Sequence, residues 1–274
     1  MEKPELYEEC NYIHKRDVSE YLEKFKPKMK WRENNNRILD IGCGDGSVTN
    51  ILKTFIPTDF KLVGCDISNN MVMYASHHHS NDQTSFTVLD IAGDLPEDIK
   101  GNFDHVFSFY ALNWVIDQKR AFENIFNLLD KEGECFIILV AYNPVFEVYR
   151  TLSKNEKWST WVYDVEKYIS PYHDSEDIDD EIIPLMASVG FVDIELECKD
   201  RVFLFSDEHT RTKLMTAINP FQIPKNMYDE FMQDYLEVLN EIEGGHNIKD
   251  TCSATHPTLH YKSVVIHGHK SSAS

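Results

Sequence analysis

Cations are scarce in this 274-residue chain. Its 27 lysines and arginines stand against 46 acids, a formal net charge of −19. A surface this acidic repels nucleic acid and anionic membranes over about a Debye length, so neither is an expected partner. The one basic-rich stretch holds Lys15, Arg16, Lys24, Lys26, Lys28, Lys30 and Arg32. Asp17, Glu20 and Glu23 interrupt it, and it reads as a solvated helix face. Long apolar runs are missing too. The longest, residues 135–142, is far too short to span a bilayer, and the opening MEKPELYEEC has no apolar signal core. No two of the six cysteines (Cys10, Cys43, Cys65, Cys135, Cys198 and Cys252) form a C-x-x-C pair. Reduced thiols in a cytoplasmic protein are expected rather than disulfides or a zinc site. His77, His78 and His79 are adjacent, so on a helix they diverge; a solvated helix end is expected there, and no metal site.

What the chain does have is alternation. An amphipathic helix is expected over residues 12–30, then a turn at Asn34, Asn35 and Asn36. Strands are expected at 37–41, 61–66, 86–90, 105–109 and 134–141. Between them lie helices, one with Val48, Ile51, Leu52 and Phe55 on one face and a stop at Pro57, another starting at Ser68 as N-cap, a third carrying Ala121, Phe122, Ile125, Leu128 and Leu129. Such alternation makes an α/β fold, with a mostly parallel sheet covered on both faces. Residues 143–190 read as helices and loops, 191–198 as a strand continued by 201–206, 225–242 as a helix and 259–267 as a last strand. The expected architecture is Rossmann-like and seven-stranded, with an antiparallel last strand. Residues 1–142 form the cofactor half, and 143–274 a helical lid plus closing strands of one integrated domain.

The most informative segment runs from Ile38 to Ser47. A strand ends at Ile41, and Gly42, Cys43, Gly44, Asp45 and Gly46 follow. Glycine permits both a sharp turn and close approach of backbone to ligand, and open α/β sheets bind ligands at the carboxyl ends of their strands. Taken alone, such a turn could equally be a tight surface turn. Dinucleotide folds space their glycines G-x-G-x-x-G to place a helix N-terminus on a pyrophosphate. Here the spacing is G-x-G-x-G, flanked by Asp40 and Asp45. Acids repel a pyrophosphate and suit a ligand carrying a sulfonium and an α-amino group, which is S-adenosylmethionine. Asp66, ending the second strand, is placed to accept both ribose hydroxyls, with Ile67 beside it. Asp90, with Ile91, ends the third strand, where an acid can meet the adenine amino group. Ser108 lies near the end of the fourth, beside the transferable methyl. The expected fold is therefore that of a class I methyltransferase.

Displacement at a sulfonium is in line and the cofactor is already activated, so the protein mainly supplies alignment. An amine or alcohol acceptor must lose a proton. A carboxylate is already ionised at neutral pH and needs only positioning donors. The residues after the fourth strand, Tyr110, Ala111, Leu112, Asn113 and Trp114, offer few bases. Trp114 has one N–H donor on an apolar body; its plain alternative is a core anchor.

The chain resembles the insect juvenile hormone acid O-methyltransferases from Leu6 and Tyr7 to about Tyr261. The resemblance rests on HKRD (14–17), DIGCGDGSVT (40–49), LVGCDIS (62–68), FDHVFSFY (103–110), FEVYRTLS (146–153), ISPYHD (169–174) and AINPF (217–221). The glycine motif is generic, and the last three stretches make the match specific. The resemblance implies methylation of the carboxylate of a sesquiterpenoid acid, either a juvenile hormone acid or farnesoic acid, with Trp114 hydrogen-bonding that carboxylate. Such enzymes commonly have glutamine, the second donor, where this chain has His14, and histidine where it has Asn113. His14 and Trp114 are thus the candidate catalytic residues; the alternative for His14 is a surface helix position. Tyr110, Tyr149, Tyr172 and Ile218 join them as candidate substrate contacts. An apolar tunnel is expected among Tyr142, Val145, Phe146, Tyr149, Trp158, Trp161, Ile169, Tyr172, Met186, Met215, Ile218 and Phe221. A farnesyl-sized tail burying on the order of 400 Å² gains roughly 10 kcal/mol gross, before ordering costs.

Two other readings stay open at this stage. One is a methyltransferase for another small acceptor, such as a fatty acid, a phenol or an amine; acceptor screening separates it. The other is a cofactor-binding paralogue with little turnover, marked by cofactor affinity without methyl transfer. A homodimer is the common assembly for such enzymes.

Overall fold

The computed structural model describes residues 3–245 and 256–272. Two N-terminal helices, α1 (Pro4–Cys10) and α2 (Tyr12–Phe25), precede β1 (Asn36–Ile41). Then come α3 (Ser47–Phe55), β2 (Phe60–Asp66), α4 (Asn69–His79), β3 (Thr84–Val88), β4 (Phe103–Phe109), α5 (Gln118–Leu128) and β5 (Leu129–Val140). The rest of the chain gives α6 (Pro144–Ser153), α7 (Ile178–Val189), β6 (Phe191–Leu204), α8 (Glu208–Ile218), α9 (Tyr228–Gly244) and β7 (Thr258–Lys270).

The strands form one seven-stranded sheet in the order β3-β2-β1-β4-β5-β7-β6. Neighbours from β3 to β5 are parallel, while β7 runs antiparallel to both β5 and β6. Side chains alternate across the strands and so divide the core in two. Ile38, Phe107, Phe109, Phe136, Ile138 and Val265 face the layer holding α2, α3, α6 and α9. Leu39, Ile41, Val106, Cys135, Ile137 and Ile266 face the layer holding α5 and α7. The order of connection reverses between β1 and β4, and the crevice above their carboxyl ends is where such sheets bind ligands.

Element by element, the expected strands and helices are present with shifted ends. The helix expected over 12–30 stops at Phe25 and tightens into a 3-10 turn where Pro27 removes a backbone donor. β3 spans Thr84–Val88 and so ends two residues before Asp90. Residues 191–204 are a single strand. α1 and α8 were not anticipated. Ser68 does cap α4, accepting from the Met71 N–H. The basic stretch is solvated, as expected, and also paired with the sheet: Lys24 on α2 and Lys28 on the turn after it keep about half of their side chains exposed while pairing with Glu197 and Glu195 of β6. Arg16 donates to the Tyr261 hydroxyl at 2.7 Å. His79 is half-buried and bonds Asn50 at 2.7 Å, whereas His77 and His78 are exposed. Cys10, Cys43, Cys65 and Cys135 are free and buried and Cys198 free and exposed, while Cys252 falls outside the described residues.

Candidate active site

A cavity of about 480 Å³ opens above the carboxyl ends of β1, β2 and β4. Its first wall is the turn after β1. Gly42 and Gly44 sit at φ +71° and +54°, backbone that favours glycine, and the Gly42 and Cys43 N–H groups both donate to the Cys65 carbonyl at 2.7 and 2.9 Å. Asp66, at the end of β2, fastens the turn from the other side. One carboxylate oxygen accepts the Gly44 N–H at 3.0 Å and the other the Ser68 N–H at 2.8 Å. Ile67 beside it is 68% exposed, an apolar side chain presented to the cavity rim. Asp90 and Ile91 continue that wall from the loop after β3.

Three of these carboxyls are electrostatically unsettled. Burial raises Asp40 to about 7, although the Thr49 hydroxyl donates to it at 2.6 Å. Burial also raises Asp45 and Asp66 above the usual carboxylate range. One buried oxygen on each of Asp40 and Asp45 has no hydrogen-bond partner. Orphaned acceptors and three desolvated acids in one wall fit a cationic ligand, whose charge would stabilise their ionised forms. A pyrophosphate would worsen the same repulsion. The site therefore fits S-adenosylmethionine, with Asp40, Gly42, Cys43, Gly44, Asp45, Asp66, Ile67, Asp90 and Ile91 able to hold it.

The second wall is built from helices α1 and α2 and the turn after β4. His14 on α2 is clamped on two sides: the Tyr7 hydroxyl lies 2.7 Å from its Nδ1, and the Tyr110 ring stacks on it at 4.3 Å. Burial lowers His14 to about 4, so at neutral pH the ring is uncharged. Burial raises Tyr7 well above its usual value, which keeps the phenol proton in place. The tautomer in which the phenol donates to Nδ1 is the one that leaves the imidazole N–H at Nε2, free for a ligand. Tyr110 in turn donates its hydroxyl to Asp17 at 2.7 Å. Asp17 is fully buried and also takes Arg201 and Tyr261.

A folded-state value of about 4 for His14 against 6.5 for the free side chain has a sign. The unfolded chain gains this proton first, so the stability His14 contributes is complete above about pH 6.5 and is lost as pH falls towards about 4. The full loss is on the order of 3 kcal/mol. Thermal melts of wild type and His14→Gln between about pH 7 and about pH 4.5 should show the steeper fall in wild type. Parallel curves would place His14 in solvent.

Trp114 stands across the cavity on a 3-10 turn, and its ring meets Phe146 edge-on at 6.0 Å. Its indole nitrogen lies 3.0 Å from the Asn113 carboxamide, whose other end is 3.1 Å from the Tyr110 carbonyl; the amide orientation assigned from these two partners turns the oxygen to the indole N–H and the NH2 to the carbonyl. Beyond Trp114, the mouth is formed by Val115, Ile116, Tyr168, Ile218 and Pro220. Behind His14, Tyr110 and Trp114 lies an inner apolar chamber of about 50 Å³, walled by Ile13, Val140, Val145, Phe146, Leu214 and Leu259.

Several expected site residues stand elsewhere. Ser108 is fully buried and donates to the Ile41 carbonyl at 3.0 Å, tying β4 to β1 rather than facing the cavity. Tyr149 is buried against Phe221 and Tyr235. Tyr172 is buried with its hydroxyl donating to Gln118 at 3.1 Å. Of the twelve tunnel candidates, only Val145, Phe146 and Ile218 line either cavity. Trp158 donates to Asp234 at 2.7 Å, and Met186 packs on the opposite face of the sheet. The sequence reading passed over Tyr7 as a site residue, and with it the phenol beside His14. Two acid–histidine clusters, Glu134 with His267 and His269, and Glu147 with His173 and Asp174, have metal-ligand types, but neither lines the cavity. In each, a histidine hydrogen-bonds the acid, at 2.8 and 2.7 Å.

A family model described as a methyltransferase domain matches residues 32–182. The juvenile hormone acid O-methyltransferase of Bombyx mori is 49% identical over 88% of this chain and 87% of its own length. That of Drosophila melanogaster is 39% identical over 91% and 87%. Among solved structures, the YcgJ protein of Bacillus subtilis superposes with a TM-score of 0.62 at 14% identity, covering 92% of this chain and 98% of that one. Phosphoethanolamine N-methyltransferase 2 of Haemonchus contortus, solved with S-adenosyl-L-methionine, gives 0.54 at 18% identity, covering 92% and 52%. At those identities the structures speak for the fold.

Proposed function

Since this chain belongs to the juvenile hormone acid O-methyltransferase family, we propose that it transfers the methyl of S-adenosylmethionine to the carboxylate of a juvenile hormone acid or farnesoic acid, giving the methyl ester. The observation that carries this is a pair of adjoining cavities that share His14, Tyr110 and Trp114 in their walls. Desolvated acids and a glycine turn line the larger, a neutral imidazole and an indole stand between the two, and the smaller is walled mainly by apolar side chains.

When bound, S-adenosylmethionine supplies an electrophilic methyl on a sulfonium. The chain's own residues do the rest. Asp66 holds the ribose end and keeps the glycine turn closed. His14 presents Nε2–H to the acceptor carboxylate, and Tyr7 and Tyr110 keep the ring from turning. Trp114 shares its N–H with one carboxylate oxygen. Neither donor removes a proton, because the acceptor arrives ionised. Val115, Ile116, Tyr168, Ile218 and Pro220 exclude water and give the tail an apolar surface. Displacement at a sulfonium calls for no Lewis acid, so activity is expected to survive a chelator.

Residues 1–142 supply the cofactor wall and, through Tyr7, His14 and Trp114, the acceptor's polar end; residues 143–274 supply the apolar cover. A cytoplasmic homodimer without nucleic-acid or membrane partners completes the reading. Among the described residues, no helix is long and apolar enough to cross a membrane.

Replacing Trp114 by Phe keeps the bulk and deletes the N–H. Turnover is expected to fall roughly ten- to a hundredfold, the equivalent of about 1.5–3 kcal/mol for a hydrogen bond to a charged group, with cofactor affinity nearly unchanged. His14→Ala should also lower turnover, and His14→Gln should preserve or raise it, since an amide N–H can replace the imidazole donor. Steady-state kinetics on farnesoic acid and a juvenile hormone acid decide. Full activity in both Trp114→Phe and His14→Ala would remove these residues from the mechanism.

A further inference from the structure

Asn113 occupies a place that these roles do not explain. It is 2% exposed and lies on the same short turn as Trp114. Its carboxamide spans two groups, 3.1 Å from the Tyr110 carbonyl and 3.0 Å from the Trp114 indole nitrogen, and the amide orientation assigned from those partners donates to the first and accepts from the second. Tyr110 itself is held at φ +58°, backbone uncommon for an aromatic residue, with its ring on His14 and its hydroxyl on Asp17. The amide therefore ties the end of β4, already fixed by the buried Asp17, to the one hydrogen-bonding atom of the indole.

An indole carries a single proton. A carboxylate that approaches Trp114 from the cavity meets an N–H already directed at Asn113. The proton can be shared between the two acceptors, with the carboxylate as the stronger partner because it is charged. The position of Asn113 then sets the plane of the indole and the angle from which its N–H reaches the acceptor.

We propose that Asn113 is a positioning residue for the methyl acceptor, acting through the Trp114 indole N–H that it holds. The inference rests on Trp114 being a partner of the acceptor carboxylate. Removing the carboxamide leaves the indole free to turn. The bound acceptor is then less well aligned for in-line displacement, while its apolar contacts are unchanged. The loss belongs in kcat rather than in KM, because the N–H is released from competition as its orientation is lost.

A double-mutant cycle tests this. Asn113→Leu, which keeps the branched shape and deletes both hydrogen bonds, should lower kcat about tenfold in the Trp114 protein, with KM changed no more than about twofold. In the Trp114→Phe background the same change should cost less than about twofold, since phenylalanine offers no N–H to hold. Asn113→Ala repeats the cycle should the leucine not be accommodated, and S-adenosylmethionine affinity measured in all four proteins checks that the site is intact. Equal losses of kcat in both backgrounds would mean that Asn113 serves only the fold and would overturn the proposal, as would no loss in either. Full turnover in Trp114→Phe alone would sink the acceptor role of Trp114, and this inference with it.

Discussion

Asp66→Ala is expected to weaken S-adenosylmethionine binding by tenfold or more while the protein stays folded. Two effects combine. A carboxylate accepting two ribose hydroxyls contributes roughly 2–4 kcal/mol, at about 1.5–3 per charged hydrogen bond with some overlap. The side chain also accepts the Gly44 and Ser68 N–H groups, so its loss leaves the glycine turn without its outer fastening. Asp66→Asn separates the two, because it retains one acceptor for the turn and removes the charge. Calorimetric titration should rank affinities wild type, then Asn, then Ala. Unchanged affinity in Asp66→Ala would refute the assignment of the cofactor wall.

Gly42→Ala is expected to be at least as damaging, for a steric reason. A Cβ at Gly42 would lie 2.0 Å from the Cβ of Ala111, on a backbone at φ +71°. The left-handed conformation costs about 1–2 kcal/mol with a side chain, and overpacking adds about 1–3. Ala111 cannot retreat freely, since it lies between Tyr110 and the turn that carries Trp114. Both walls of the cavity should therefore shift. The melting temperature should drop by several degrees, as expected for about 2–5 kcal/mol, and cofactor binding should weaken more than tenfold. Gly101→Ala is the control: it has φ +66° but no atom within 4 Å of the added Cβ, so it carries the conformational cost alone. Equal behaviour of the two variants would show that the contact with Ala111 is unimportant.

The cofactor wall was the legible part of this site, because it is local in sequence. A strand, a glycine turn, a helix and an acid at the end of the next strand are fixed by short-range chemistry, so Gly42, Gly44 and Asp66 could be placed from spacing alone. The acceptor side is assembled from segments far apart. Tyr7 reaches His14 across two helices, and His14 meets Tyr110 from the end of β4; no periodicity encodes those meetings. His14 was singled out by resemblance, and its neutral state follows from burial that only the fold creates. Apolarity marked Tyr149, Tyr172 and Met186 as candidates without telling a cavity wall from the core behind it. Ser108 was misplaced for a related reason: its position near a strand end suggested the ligand edge, while its hydroxyl points to a neighbouring strand. Asn113 reads as an ordinary loop residue until its carboxamide is seen between Tyr110 and Trp114. β3 was placed two residues too far along the chain, because Val88 and Leu89 carry the apolar run past its end while Thr84 and Ser85 at its start are polar. α8 was missed because Glu208–Ile218 shows little amphipathic contrast.

The central claim is that this cavity methylates a sesquiterpenoid carboxylate. Its most direct test is mass spectrometry of the products formed from S-adenosylmethionine and a panel containing farnesoic acid, a juvenile hormone acid and straight-chain fatty acids. The account predicts methyl esters of the sesquiterpenoid acids, formed faster than those of the fatty acids and formed more slowly by Asp66→Ala at cofactor concentrations that do not saturate it. Cofactor binding with no ester from either sesquiterpenoid acid would contradict it.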